Sequence, residues 1–145
     1  MFNLLAEIFG GKKRERVPDF EDAVLGSMRF MEPDSWGAHV TIAGKRIGFV
    51  IGGHTEPSSA LLAHAREIVR NFADFESMIS EFLAHEERKI QMTPNEIRYL
   101  QIAEVILCWP ERPDDGLIYF HGPDDTRVWR CDYVGRKPQG LGFDD

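Results

Sequence analysis

The spacing of apolar residues changes period twice along this chain. "LGSMRFM" (25–31) reads as a strand, closed by the turn chemistry of Pro33 and Asp34. "GAHVTI" (37–42) and "RIGFVIGG" (46–53) alternate on either side of "AGKR", where Gly44 suits a tight hairpin. Val40 and Ile42 share a face, as do Ile47, Phe49 and Ile51 on the following strand. The period then becomes helical. Leu61, Ala65, Ile68, Val69 and Phe72 recur at that spacing, with Pro57 placed as a first-turn proline. A second helix follows from about Asp74, a candidate N-cap, with Phe75, Met78, Ile79, Phe82 and Leu83 in one apolar stripe. Thr93, Pro94 and Glu96 form a capping box that opens about one turn. Period two returns in "LQIAEVILCW" (100–109), "GLIYFHG" (116–122) and "RVWRCDYVG" (127–135), separated by turns of Pro-Asp-Asp type.

This order predicts an α+β domain over residues 20–145: a largely antiparallel sheet of about six strands, in the order β-β-β-α-α-β-β-β. Both central helices pack on one of its faces. Residues 1–19 are set apart as a short amphipathic helix, with Phe2, Leu5 and Phe9 on one side, followed by a basic linker. The chain's 145 residues suit one core and no more.

Charge narrows the classes of partner. The net charge is −7, and Lys12-Lys13-Arg14-Glu15-Arg16 contributes +3, which leaves −10 on the rest. An acidic body repels a phosphate backbone, so nucleic acid is not the expected partner. A basic protein suits it better. The two cysteines, Cys108 and Cys131, form no CxxC motif or disulfide framework, which fits a reducing cytoplasm. No apolar run reaches the length of a membrane span. Residues 2–16 place an amphipathic stretch beside basic residues, a weak pattern for holding a membrane surface. They do not read as a secretory signal, because the basic cluster follows the apolar part and Glu7 interrupts it.

Reactive side chains are present without a motif to join them. Trp129, Cys131 and Tyr133 alternate with Arg130 and Asp132, so the aromatic–thiol row lies on one face of a strand and the carboxylate on the other. That is the look of a buried sheet face, not of a reaction centre. The five histidines form no HExxH-type pair. Among them His54 and His121 stand out, each closing a strand beside glycine. Asp114-Asp115 and Asp124-Asp125 lack the spacing of a calcium loop, and "IGGH" lacks the length of a phosphate loop. No cofactor, metal or catalytic residue is therefore assigned.

The Leu25-Gly26 strand pair with Trp36, the Gly44 hairpin, and the closing Gly140-Leu141-Gly142-Phe143 resemble a loose group of small bacterial domains of unknown function, some encoded near polymorphic toxins. The resemblance covers about Phe20 to Asp145. It implies a compact α+β fold, a bacterial cytoplasmic protein, and binding without chemistry.

The favoured reading is a non-catalytic protein-binding module, of immunity or adaptor type, that shields a basic partner. Glu76, Glu81, Asp114, Asp115, Asp124 and Asp125 are its candidate steering charges. The balance leans against an enzyme. The alternative is a small enzyme or ligand-binding domain with its pocket at the strand ends near His54 and His121, and a weaker one is peripheral membrane association through residues 2–16.

Overall fold

The computed structural model describes residues 17–89, 94–123 and 127–144. The expected N-terminal helix, Thr93 of the capping box, and Asp124 and Asp125 lie outside these. The elements run β1 (Phe20–Asp22), β2 (Gly26–Met31), β3 (Ser35–Ile42), β4 (Lys45–Gly52), α1 (Ser59–Arg70), α2 (Phe72–Lys89), α3 (Pro94–Arg98), β5 (Gln101–Leu107), β6 (Gly116–His121), β7 (Val128–Val134) and β8 (Lys137–Asp144).

The strands form one eight-stranded sheet in sequence order. The expectation of about six strands is thus corrected to eight, and two helices to three among the described residues. Neighbours pair antiparallel except β4 and β5, which are parallel, so the sheet is mixed. The parallel pair follows from the helical crossover, because a chain that must start its next strand beside the beginning of the previous one needs a long return. An ion pair and a charge-assisted hydrogen bond mark that return path. Glu76 of α2 meets Lys45 at the start of β4 at 2.7 Å. Glu96 of α3 then accepts the indole N–H of Trp129 at 2.7 Å.

Two hairpins have two-residue loops with both residues at positive φ, the geometry whose twist matches paired strands. In the first, Ala43 and Gly44 have φ of 51° and 79°. In the second, Gly135 and Arg136 have φ of 58° and 64°. Arg136 is held there by its own contacts: its backbone N–H donates to the Asp114 carbonyl at 2.9 Å. Its guanidinium donates to the carboxylates of Asp114 and Glu67, each at 2.7 Å.

The helical boundaries shift a little from expectation. Ser58 is the N-cap of α1, which leaves Pro57 buried in the preceding loop, outside the helix. α2 starts at Phe72, so Asp74 lies in its first turn instead of capping it. Met28, Trp36, Phe49, Ile51, Val105, Leu107, Ile118, Trp129, Cys131 and Tyr133 are buried with Leu61, Ala65, Ile68, Phe75 and Ile79 of the helices. One core therefore lies between the helices and one face of the sheet.

α1 makes contacts at both ends of the strand order. Arg66 donates to the carboxylate of Asp22 in β1, and His64 bonds Tyr133 in β7. In a flat sheet these strands would lie six steps of about 4.8 Å apart, roughly 29 Å. A helix with its side chains is only about 10–12 Å across, and an extended arginine adds a few ångströms. The sheet therefore curls around α1, with the helices on its concave side and the other face turned outward.

Candidate functional site

The expected steering charges are mostly engaged within the fold. Glu76 pairs with Lys45, and Asp114 with Arg136. Asp115 accepts the backbone N–H of Gly135 at 2.9 Å. The Asp114-Asp115 turn thus clamps the β7–β8 hairpin. Glu81 is exposed, and its carboxylate has no hydrogen bond or ion pair among the described residues.

The register sends His54 and His121 to opposite ends of the sheet. His121 pairs with Gln101 at the beginning of β5. His54 follows the end of β4, beyond the level of Leu107. Gln101 and Leu107 are six residues apart, about 20 Å along a strand, so the two histidines share no hollow. His39 and His85 are exposed on β3 and α2. Among the described residues no three His, Cys, Asp or Glu side chains gather in a way that could hold a metal ion.

His64 is the exception in burial, at 3% exposure. Its Nδ1 lies 2.7 Å from the Pro113 carbonyl, which can only accept, so Nδ1 carries the proton. In the neutral ring Nε2, 3.1 Å from the Tyr133 hydroxyl, is then the acceptor for it. Burial pushes Tyr133 up to about 12, with Arg136 acting against that and Asp114 and Glu67 adding to it. A phenol in that state holds its proton and serves as a donor. The pair fastens α1 to β7. A signal for it existed in the sequence, because His64 stands three after Leu61 and four before Ile68, inside the apolar stripe.

Neither thiol is activated. Burial pushes Cys131 up to about 12, and the charges of Asp132 and Glu86 add to the effect. Burial also raises Cys108, helped by Asp34 and Glu104. At pH 8, iodoacetamide is expected to modify Cys108 slowly and Cys131 only after unfolding. Mass spectrometry of native and urea-treated protein checks this, and rapid native labelling of Cys131 would contradict the buried assignment.

Two surfaces remain. One is the outer face of the sheet. Val50, Ile106 and Leu117 stand in one cross-strand row, flanked by Gly37 and Asp132. The Met31 sulfur lies over Gly37, only 2.7 Å from where a Cβ would be, and so extends the apolar strip to β2. The next row holds His39, Gly48, Glu104, Tyr119 and Arg130. Met31, Val50, Ile106, Leu117 and Tyr119 are all half-buried. The helices make their contacts on the opposite face, at Trp129 and Tyr133.

The other surface is on the helical side. An open groove of about 230 Å³ runs between α1, α2 and the β7–β8 turn. Ile68, Phe75 and Met78 line it, with Glu67, Asp74 and Arg136. A smaller hollow of about 170 Å³ lies behind the Lys45–Glu76 pair and is lined by Ile79, Leu83 and Ile102.

Compared with protein-family models, curated proteins and solved structures, the chain matches none. No helix among the described residues is long and apolar enough to cross a membrane.

Proposed function

We propose that this chain is a non-catalytic protein-binding module that engages its partner through the outer face of the sheet. The observation that carries the reading is the apolar strip from Met31 through Val50 and Ile106 to Leu117 and Tyr119, on the face of the sheet opposite that on which the helices bond Trp129 and Tyr133. An apolar strip rimmed by charge marks an interaction surface more often than it occurs without purpose. The rim here consists of Arg29, His39, Glu104, Arg130 and Asp132. The scatter of nucleophiles and bases supports binding over chemistry.

The finer reading is an immunity or adaptor protein of the bacterial cytoplasm that shields a basic partner. Its net charge of −7 supports it, since a field of one sign speeds encounter with the opposite sign. So does the resemblance to small domains encoded near polymorphic toxins.

The test is affinity capture from the native lysate, at low salt and at about 0.5 M salt, where the screening length is only a few ångströms. Wild-type protein is expected to retain a partner whose recovery falls with salt. Leu117→Lys, shown folded by circular dichroism, is expected to lose it. Equal recovery by this variant, or no partner at either salt, overturns the reading.

A further inference from the structure

The helical groove has a chemistry distinct from that of the outer face. Its walls are apolar: Ile68 is buried, Met78 half-buried, and the Phe75 ring packs edge-on against Tyr133 at 6.0 Å. Its rim is acidic. Glu67 already receives the Arg136 guanidinium, which Asp114 shares. Glu67 and the neighbouring Asp114 thus share one cation, and Asp74 lines the same groove without joining them. Asp74 is exposed and has no hydrogen bond or ion pair to its carboxylate among the described residues.

A ligand complementary to this groove has an aliphatic stem and a positively charged head. The stem would cover Ile68 and Met78 while the head stays at the wet rim, as long basic side chains do on apolar surfaces. The carboxylates of Glu67 and Asp74 on that rim attract such a head. A negative ligand is disfavoured by the excess of carboxylates, and the groove is too open to retain an uncharged one by burial alone. We infer that this groove receives a lysine or arginine side chain presented by a partner protein. The inference rests on the protein-binding reading only for the source of the cation. It concerns the side of the sheet away from the strip tested by Leu117→Lys, so either can fail alone.

An acid in the first turn of a helix also favours the helix itself. That role would make Asp74 a stability residue with no ligand, and the experiment separates the two. The full chain, labelled with ¹⁵N, is titrated with N-butylguanidinium, butylammonium, butanol and butyrate. Both cations are expected to shift the amides of residues 67–78 and 133–136 with saturation, butanol weakly, and butyrate not at all. Asp74→Asn is expected to weaken cation binding about fivefold, the scale of one exposed ion pair. Glu81→Gln removes the same charge elsewhere on α2 and is expected to change it less than about twofold. Met78→Trp, which fills the groove without altering charge, is expected to abolish the localised shifts. Diffuse shifts, equal losses in Asp74→Asn and Glu81→Gln, or butanol binding as well as the cations would overturn the inference.

Discussion

Trp129→Ala is expected to cost about 3–5 kcal/mol of folding stability, the range for removing a buried aromatic. That is a large part of the ~5–15 kcal/mol that holds a typical domain together. The side chain is fully buried at 0% exposure, and its ring lies 4.8 Å from that of Phe143. It also joins β7 to α3, since its Nε1 donates to Glu96. Truncation both opens a cavity and removes the indole from a carboxylate that Arg127 also approaches, at 3.3 Å. Trp129→Phe keeps most of the apolar surface and loses the bond, so it is expected to cost about 1–3 kcal/mol. Urea unfolding of Trp129→Phe, Glu96→Gln and the double variant measures the coupling. A loss below about 1 kcal/mol for Trp129→Ala would be inconsistent with a filled core at this position.

Asp22→Asn is expected to cost about 2–3 kcal/mol at neutral pH, because it weakens charge-assisted hydrogen bonds at a buried carboxylate. The Asp22 side chain is only 1% exposed. One oxygen accepts the N–H groups of Val24 and Leu25, and the other accepts from Arg66. The penalty stops short of that for a fully buried pair because the Arg66 side chain is 36% exposed and can rehydrate. Burial by itself would raise the carboxyl's pKa. Hydrogen bonds from Arg66 and from the Leu25 and Val24 amides outweigh it, and the net shift is downward.

A folded-state pKa below the unfolded one makes the stabilisation complete above the unfolded value, about 3.9. It is then lost as the pH falls through the lower folded value. Wild-type protein should therefore lose stability below about pH 4 more steeply than Asp22→Asn. The two urea midpoints should converge towards acid. Parallel curves across that window would show that Asp22 has no special standing in the folded state.

Much of this fold could be read from residue spacing alone. Leu61, Ala65 and Ile68 mark α1, and Phe75, Ile79 and Leu83 mark α2, because a helix against a core needs one apolar stripe. The alternation of Trp129, Cys131 and Tyr133 correctly put all three on the buried face. β8 escaped because "KPQGLGFD" carries a proline and two glycines, and its pairing depends on the Gly135-Arg136 turn. Nothing local announces that turn, since Arg136 reaches positive φ only through Asp114 and Glu67, which are distant in sequence. β1 is too short for a pattern to show. The parallel β4–β5 pair was hidden for another reason: strand direction depends on the path of the intervening helical segment. The same limit applies to the surfaces. Glu67, Asp74 and Arg136 meet only once α1, α2 and the last hairpin are assembled, so no spacing in the chain could join them.

The borders of the sheet set a final condition on how this molecule can meet others. Among the described residues, one border is β1, which offers only three residues. At the other, β8 begins with Lys137 and Pro138, slips register opposite Arg130 and Asp132, and turns to positive φ at Gly140. Such margins make poor templates for an incoming strand, because proline lacks the amide hydrogen and a broken ladder cannot be extended. Fibrous stacking is discouraged at both rims, and main-chain zippering with another protein is a poor route to a complex. Recognition then falls to side chains, which tie specificity to their chemistry and leave the backbone out of the exchange.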